Sequence, residues 1–341
     1  MLRSPSNGHQ GLSGDAMPLF RKNPSGALLA LIFAVLAIAT IGAARAQAPQ
    51  ASLQPAAGAT LSLKLPAGPA APVMDEGSVQ FIGTATVLIR YQGLTILTDP
   101  NFLHKGEHVH LGYGLTSERL TNPAIELDQL PPIDLVVLSH MHEDHFDKRV
   151  QQQLDKNVPI ATTPGAAKAL QRLGFKRTIG LSHWDRLDVE KGDTRLRITA
   201  APGRHGKLGM QSLLPQVMGA AYDFGPDPAQ PAYRMYVTGD TLVYDDLKAI
   251  PQRFPGIDLA LLHLGGTRIL GVFKVTMDAR DGVQLLQIVQ PRHAIPIHYN
   301  DYDVFKSPLA DFAREVKAAG WDDRVSYLAH GATYRFVVPK R

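Results

Sequence analysis

The chain of 341 residues contains no cysteine. Without cysteine, a disulfide framework, a zinc site with thiolate ligands, a cysteine nucleophile and acylation of an N-terminal cysteine are all excluded. The absence does not identify the redox compartment, because a site built from histidine and carboxylate also works in an oxidising compartment. Any metal or catalytic site must therefore use other side chains.

A strong excess of one charge is also absent. The chain has 35 Lys and Arg against 31 Asp and Glu, which gives a net charge of +4. Residues 1–46 hold four of the basic residues and one of the acidic ones, so the remainder has a net charge of +1. Since no strong basic field remains to attract a polyanion, we expect no nucleic acid partner.

The N-terminal region has the pattern of an export signal. Residues 26–44 are apolar and uncharged, Arg21 and Lys22 precede them, and small residues surround position 46. This pattern predicts a signal peptide over residues 1–46, with export to the periplasm or secretion of the mature protein. An uncleaved anchor in the inner membrane is the alternative, because the apolar run is just long enough to span a bilayer. Membrane contact is expected only through such an uncleaved leader.

The rest of the chain divides into a linker and one domain. Residues 47–77 are rich in Ala and Pro, so we interpret them as an extended linker, and residues 78–341 as a single catalytic domain. The hydrophobic patterns predict strands over residues 79–82, 86–91, 94–98, 133–138, 196–200, 233–238, 257–263 and 294–297, and helices over residues 148–156, 166–173, 279–289 and 308–319. This mixture indicates a layered α/β domain.

The most informative segment is the cluster His140-Met141-His142-Glu143-Asp144-His145. It follows an apolar run, so it is expected at the C-terminal end of a strand. A lone histidine is usually a surface or satisfied core residue, but three histidines and an aspartate in six positions are poorly explained in that way. Imidazole and carboxylate together suit zinc and its first-row neighbours. We interpret Glu143 as a solvated or supporting carboxylate.

Three further candidate ligands follow other predicted strands. His205, Asp240 and His298 each come just after an apolar run, where a sheet can direct side chains to a common point. Each alone is a weak signal, because Gly239-Asp240 is also compatible with an ordinary turn and His298 with a satisfied histidine at a strand end.

The ordered set His-x-His-x-Asp-His, His, Asp and His resembles that of the metallo-β-lactamase superfamily. The segments Gly83-Thr84-Ala85-Thr86 and Leu97-Thr98-Asp99-Pro100 are similar to the branch that contains N-acylphosphatidylethanolamine-hydrolysing phospholipase D and the ascorbate-phosphate lactonase. The resemblance covers the chain from about Ser78 to its end. It implies a four-layer αββα sandwich with a dinuclear metal site at the edge between two sheets.

The resemblance also implies which residues hold each ion. His140, His142 and His205 would bind the first ion, Asp144, His145 and His298 the second, and Asp240 would bridge them. Two divalent ions, Zn²⁺ first and Mn²⁺ or Fe²⁺ as alternatives, can hold a bridging water and lower its pKa, which supplies hydroxide for hydrolysis. We therefore expect a metal-dependent hydrolase of a phosphodiester, ester or lactone in a small-molecule or lipid-like substrate.

Two departures from the relatives and two alternative functions accompany this hypothesis. Thr84 stands where many members of the branch have histidine. A carboxylate at Asp240, where true β-lactamases usually have Cys or Ser, argues against β-lactam hydrolysis, although export keeps that alternative open. Nucleic acid processing would require a basic groove that the composition does not indicate. A metal-binding periplasmic protein without turnover is the non-enzymatic alternative.

Two residues near the predicted site have open roles. Asp99 is either a supporting carboxylate that orients a ligating histidine or a turn residue before Pro100. His263 ends another strand-like run, and we place it with Asp144 and Asp240 among the candidate catalytic residues, facing the substrate or donating a proton. We interpret His183, His293 and His330 as structural, because no surrounding pattern supports another role.

Overall fold

The structure, a computed structural model, describes residues 58–67, 76–112, 114–207, 209, 213–227 and 229–339. The predicted leader over residues 1–46 lies outside the described residues. Within the described part, no helix combines the length and the apolar character needed to cross a membrane.

The described residues form strands and helices in alternation along the chain. The strands are β1 (Thr60–Leu65), β2 (Glu76–Gly83), β3 (Thr86–Tyr91), β4 (Leu94–Thr98), β5 (His108–His110), β6 (Thr116–Glu118), β7 (Leu135–Val137), β8 (Ile160–Thr162), β9 (Thr178–Gly180), β10 (Arg186–Lys191), β11 (Thr194–Pro202), β12 (Met218–Phe224), β13 (Tyr233–Val237), β14 (Leu259–His263), β15 (Arg268–Ile269), β16 (Phe273–Lys274), β17 (His293–Ile297) and β18 (Thr333–Val337). The helices are α1 (Lys148–Gln153), α2 (Pro164–Arg172), α3 (Ala249–Arg253), α4 (Ala279–Val289) and α5 (Leu309–Ala318). Single-turn 3₁₀ helices lie at Leu127–Gln129, Asp245–Lys248 and Asp322–Arg324. Every predicted strand and helix is present, with differences only at the ends.

Two mixed seven-stranded sheets form the middle of the domain. One has the order β1-β10-β11-β12-β13-β14-β17 and the other β18-β2-β3-β4-β7-β8-β9. The strands β13, β14 and β17 are parallel, as are β4, β7, β8 and β9, whereas the hairpin strands are antiparallel. The carboxyl ends of the parallel strands therefore lie together at one edge of each sheet.

The burial pattern produces four layers. In β3, Val87 and Ile89 pack in the core between the sheets, whereas Leu88 packs on the other face among residues of α1 and α2. In β14, Leu261 faces the inter-sheet core and Leu262 packs against α4 and α5. Both sheets are thus covered by apolar residues on two faces, as expected for a sheet buried between a second sheet and helices. The predicted αββα sandwich is confirmed.

The hairpin between β3 and β4 has the predicted turn. Gln92 and Gly93 link β3 to β4 with φ angles of 43° and 77°. Positive φ at both central residues is characteristic of the turn whose twist matches a two-residue hairpin, and glycine adopts it without steric strain. The segment at 79–98 therefore forms antiparallel strands, as the sequence pattern predicts.

The linker interpretation of residues 47–77 is wrong for part of its length. Strand β1 pairs in parallel with β10 at the edge of the first sheet, and Leu63 and Leu65 are buried in the inter-sheet core. The alternation of Leu61, Leu63 and Leu65 with polar residues is a strand signal that the surrounding Ala and Pro residues obscured. Strand β2 also begins at Glu76, inside the predicted linker.

This pairing predicts that β1 contributes to the stability of the domain. Leu63→Ala should lower the free energy of unfolding by about 2 kcal/mol, because it removes buried apolar surface. Leu61→Ala is the matched control, since Leu61 is 40% exposed and its truncation should cost under about 0.5 kcal/mol. Urea denaturation of both variants and the parent measures the difference. Equal effects of the two substitutions would show that β1 does not depend on this packing.

Candidate metal centre

The candidate ligands come from the carboxyl ends of strands in both sheets. His140, His142, Asp144 and His145 follow β7, whereas His205 follows β11, Asp240 follows β13 and His298 follows β17. At the β13 end, Gly239 has a φ of 62°, and a Cβ there would lie 2.6 Å from the carbonyl oxygen of Met218. Only glycine fits this turn, so the turn directs Asp240 into the edge of the sandwich.

Three histidines form the first group, which could hold a metal ion. His140, His142 and His205 each offer a ring nitrogen, and these nitrogens lie within 4.8 Å of one another. His140 Nε2 lies 3.0 Å from His142 Nδ1. Nitrogens bound at about 2.1 Å to one tetrahedral ion are about 3.4 Å apart, so the spacing is close to that of ligands with a common centre. His142 is half-buried and the other two are buried.

A second group combines two carboxylates with two histidines. Asp144, His145, Asp240 and His298 are all buried, and their ligand atoms also lie within 4.8 Å of one another. His145 Nε2 is 3.3 Å from Asp240 Oδ2, and His298 Nε2 is 3.4 Å from Asp144 Oδ2. Asp240 Oδ2 also lies 3.9 Å from Nε2 of His140 in the first group. The Asp240 carboxylate therefore stands between the two groups.

The outward-facing nitrogens of three imidazoles have partners in the surrounding protein. Nδ1 of His205 lies 2.9 Å from the carbonyl oxygen of Val275, and Nδ1 of His298 lies 3.2 Å from that of Leu264. Nδ1 of His145 lies 3.4 Å from Asp99 Oδ1. Donation by Nδ1–H to these oxygens fixes the tautomer in which Nε2 is free to bind an ion. Each ring is therefore oriented with its free nitrogen toward the centre.

Asp99 is buried and contacts the start of the ligand loop, the segment from Ser139 to His145 that follows β7. The backbone N–H and the hydroxyl of Ser139 donate to its Oδ1 at 2.7 and 2.8 Å, and His263 Nε2 lies 3.5 Å from its Oδ2. Burial alone would raise the pKa of Asp99, but the nearby imidazoles of His145 and His263 outweigh burial and lower the pKa to about 2. Asp99 is therefore an ionised partner of His145 as well as a residue at a turn.

His263 lies behind the two groups and not in the cleft. Its side chain is fully buried, stacks on His145 with ring centroids 5.9 Å apart, and has Nδ1 3.2 Å from the hydroxyl of Thr238. Although Asp99, His145 and His263 also form a compact group, the residues that line the cleft do not include His263. The prediction that His263 faces the substrate is wrong, because the strand end turns its ring into the protein interior.

Several buried polar atoms at the centre lack a hydrogen-bond partner among the described residues. They are Asp144 Oδ1, His145 Nε2, Asp240 Oδ1, His263 Nε2 and His298 Nε2. An unpaired buried polar atom costs about 1–3 kcal/mol, and more if it is charged. Within the described part of the chain, Asp144 and Asp240 form ion pairs with histidines alone. Inward-facing imidazole nitrogens and carboxylate oxygens are the donor set of zinc, so the residues fit divalent metal ions.

The pKa values of His142, His140 and Asp240 agree with this fit, whereas those of His145 and His298 are raised because the nearby Asp240 carboxylate outweighs the effect of burial. Burial lowers the pKa of His142 to about 3, with a further contribution from His205, and burial and the nearby imidazoles of His145 and His142 hold that of His140 well below its usual range. Neutral imidazole is the form that binds metals. Burial alone would raise the pKa of Asp240, but His298 and His145 outweigh it and hold the pKa well below its usual value. The carboxylate is therefore ionised.

A narrow cleft leads to both groups. It encloses about 70 Å³, and its polar end is formed by His142, Asp144, His205 and Asp240. Its remaining wall is mostly apolar and includes Leu111, Leu115, Leu214, Ile269, Val275 and Val304. A group that reaches the four polar side chains must therefore pass apolar surface.

Glu143 points away from the centre, as expected for a residue between ligands. Its Oε2 accepts a hydrogen bond from the backbone N–H of His110 at 2.7 Å, and Lys148 Nζ lies 3.8 Å from its Oε1. The backbone carbonyl of Glu143 accepts a hydrogen bond from Asn101 Nδ2 at 2.9 Å. The Glu143 side chain thus takes no part in either group, while its backbone holds the ligand loop.

A second buried network supports the same loop, and the sequence pattern did not indicate it. Arg119 is fully buried and donates from Nη1 to the hydroxyl of Thr84 at 2.7 Å and to Asn101 Oδ1. Its Nη2 lies 3.9 Å from Oδ1 of buried Asp301, whose Oδ2 accepts the N–H of Thr84 at 2.8 Å. The Thr84 carbonyl accepts the N–H of His298 at 2.6 Å. Hydrogen bonds of Thr84 therefore connect the buried arginine to the candidate centre.

The chain is similar to known proteins in both sequence and structure. A family model described as a beta-lactamase superfamily domain matches residues 95–299. A curated relative from Archaeoglobus fulgidus, named UPF0173 metal-dependent hydrolase, is 27% identical over 203 residues, which cover 60% of this chain and 82% of the relative.

Solved structures share the fold at lower identity. The isothiocyanate hydrolase from Delia radicum gut bacteria has a TM-score of 0.65 at 21% identity, with 76% of this chain and 99% of that chain covered. A possible metal-dependent hydrolase from Veillonella parvula has a TM-score of 0.64 at 20% identity, with 75% and 98% covered. These similarities show the metallo-β-lactamase fold. The family model spans more than half of the sequence, so this chain belongs to the family that the model describes, the beta-lactamase superfamily domain.

Proposed function

We propose that this metal-dependent hydrolase works with two divalent ions, one held by His140, His142 and His205 and the other by Asp144, His145 and His298. Asp240 would bridge them. The observation that carries the proposal is the pair of buried groups with the Asp240 carboxylate between them. Zn²⁺ suits a set of imidazoles and carboxylates, and Mn²⁺ or Fe²⁺ are the alternatives.

The proposed reaction is hydrolysis of a phosphodiester, ester or lactone. Two ions at such a centre supply an activated water at neutral pH and stabilise negative charge on the reacting carbonyl or phosphoryl oxygen. A reacting bond at the polar end of the cleft, near Asp144 and Asp240, would lie beside both groups. The apolar wall of the cleft, with Leu111 and Val304, would bind a non-reacting part of the substrate and exclude bulk water.

Residues around the proposed ligands hold the ligating side chains in position. Asp99, the Val275 carbonyl and the Leu264 carbonyl orient three of the proposed ligands, so the site is formed before substrate arrives. The narrow apolar cleft favours small or lipid-like substrates and offers no extended basic surface for a polyanion. We therefore propose no role in nucleic acid processing.

Metal content tests the bridged arrangement. The purified parent should contain about two equivalents of divalent metal per chain, and Asp240→Ala should contain about one or fewer, because the variant lacks the shared ligand. Glu143→Gln is the matched control, since this side chain lies in the same loop but bonds to His110, and it should keep the parent's content. Elemental mass spectrometry measures all three. Unchanged metal content in Asp240→Ala would contradict the bridge.

Metal removal and replacement test the chemistry. The metal-loaded protein should hydrolyse at least one of three probes, namely bis(p-nitrophenyl) phosphate, p-nitrophenyl butyrate and a simple lactone. Treatment with a chelator should abolish this activity and added Zn²⁺ should restore it. His142→Ala should lower the rate at least about 100-fold, because it removes a proposed ligand. His108→Ala, at an exposed strand residue, should retain the parent rate. Hydrolysis that survives in His142→Ala would exclude the proposed mechanism.

Asp99→Asn tests the orientation of His145. The variant keeps one carbonyl oxygen but loses the charge that holds the outward nitrogen, so metal affinity should fall by about 10–100-fold. Asp188→Asn is a suitable control, because Asp188 pairs with Arg197 on β11 away from the centre. Competition with a chromogenic chelator gives the affinities. If Asp99→Asn bound metal as tightly as the control, Asp99 would have only a structural role at the turn.

A further inference from the structure

A second cavity borders the candidate centre on the other side of His205. It encloses about 290 Å³, and its lining includes His183, Arg204, His205 and Tyr244. The cleft and this cavity share His205 as a lining residue, and their walls continue from Leu214 in the cleft to Pro215 in the cavity. The two spaces are therefore neighbours at a proposed metal ligand.

Arg204 is held in this cavity with unused hydrogen-bonding capacity. Its guanidinium carbon lies 3.8 Å from the centre of the Tyr244 ring, over its face. Its Nε is buried and has no hydrogen-bond partner among the described residues. A planar guanidinium fixed on an aromatic ring loses little side-chain entropy when it binds, and its fork of N–H groups matches carboxylate or phosphate oxygens. The guanidinium of Arg204 is therefore positioned to bind an anionic group.

Both backbone polar groups of Arg204 form hydrogen bonds with the segment that follows Asp240. Its N–H donates to the hydroxyl of Thr241 at 2.9 Å, and its carbonyl accepts the N–H of Leu242 at 2.8 Å. Thr241 directly follows Asp240, and Arg204 directly precedes His205. The scaffold that aims two proposed ligands therefore also sets the position of this arginine relative to them.

Among the described residues, no acidic side chain near the cavity forms an ion pair with Arg204, and its charge only adds to that of Lys248 in lowering the pKa of Asp245. Asp246 lines the cavity, but among the described residues no ion pair joins its carboxylate to the guanidinium. The neighbouring Asp245 is paired with Lys248 at 2.6 Å. His183 contributes a second polar group, with Nε2 3.1 Å from the carbonyl oxygen of Val217. The cavity thus contains a cation without a carboxylate partner in the described part of the chain.

We propose that this cavity binds a carboxylate or phosphate group of the substrate through Arg204, while the bond to be hydrolysed lies at the metal centre. The inference rests on the proposed function and narrows its substrate class. The substrate would carry an anionic group at one end, a short apolar segment that fits the cleft, and an ester, lactone or phosphodiester bond near His205. Arg204 would therefore determine specificity without taking part in the chemical step.

Two matched esters test this specificity. The metal-loaded full-length protein is assayed with p-nitrophenyl butyrate, which is neutral, and with mono-p-nitrophenyl glutarate, which ends in a carboxylate. The parent should have the lower KM for the glutarate ester. Arg204→Gln should raise that KM by about 10–100-fold, because charge-assisted hydrogen bonds are lost, while kcat and the kinetics of the butyrate ester stay within about twofold.

Three further variants separate charge recognition from general damage. Arg204→Lys should restore part of the preference, since it keeps the charge but not the planar fork. Asp246→Asn should lower the KM of the glutarate ester, because it removes a like charge from the cavity. Arg324→Gln is the control, since Arg324 stacks on Trp321 but does not line the cavity. A loss of preference in Arg324→Gln equal to that in Arg204→Gln would overturn the assignment.

Binding measurements keep the inference separate from hydrolysis. Calorimetric titration of the same proteins with glutarate and with inorganic phosphate gives two dissociation constants. If Arg204→Gln raises the dissociation constant for glutarate or for phosphate at least tenfold, the cavity is supported as an anion site. The affected ligand identifies the preferred group, even if neither ester is hydrolysed. Equal KM values and equal dissociation constants in the parent and Arg204→Gln would overturn the anion site and leave metal-dependent hydrolysis in place.

Discussion

Three buried carboxylates at one edge of the sandwich impose the main constraint on this structure. Asp99, Asp144 and Asp240 are at most 5% exposed, and all of their ion pairs among the described residues are formed with histidines. A histidine balances a carboxylate only when it is protonated, and a buried carboxylate without a countercharge is strongly destabilising. Divalent ions would supply the missing charge and leave the imidazoles neutral, so we infer that the folded edge and its ions depend on each other.

This dependence explains why so much of the surrounding structure holds the ligand loop. The Asp99 carboxylate fixes Ser139 at its start, Asn101 holds the carbonyl of Glu143 in its middle, and Arg119 holds Asn101. Arg119 in turn needs Asp301, because a buried guanidinium without an anion would be as costly as the carboxylates without a cation. The buried carboxylates of the centre and the buried Arg119–Asp301 pair thus both contact the ligand loop. Each set of contacts restricts the conformations that the loop can adopt.

The sequence predicted those parts of the protein in which local pattern and tertiary environment agree. Helix α4 has its predicted bounds, because Asp278 caps it and its apolar face has a clear helical period. The seven candidate ligands were found because each follows an apolar strand. Strand β1 was missed, since a few alternating leucines in an Ala/Pro-rich stretch are a weak signal. Arg119 was missed for a different reason: its partners Thr84, Asn101 and Asp301 are far from it in sequence, so no local pattern marks it.

His263 shows where reasoning from strand ends fails. Its strand, β14, lies between β13 and β17, which deliver Asp240 and His298, so its position predicts a third side chain that faces the site. Instead, Gly265 and Gly266 follow it with positive φ, and its ring stacks behind His145 against Asp99. The ring there packs behind His145 and has Nε2 3.5 Å from the second carboxylate oxygen of Asp99. The first oxygen is then left to Ser139 and His145, so His263 limits the orientations that the Asp99 carboxylate can adopt. A residue predicted to face the substrate can therefore act on the centre entirely through another side chain.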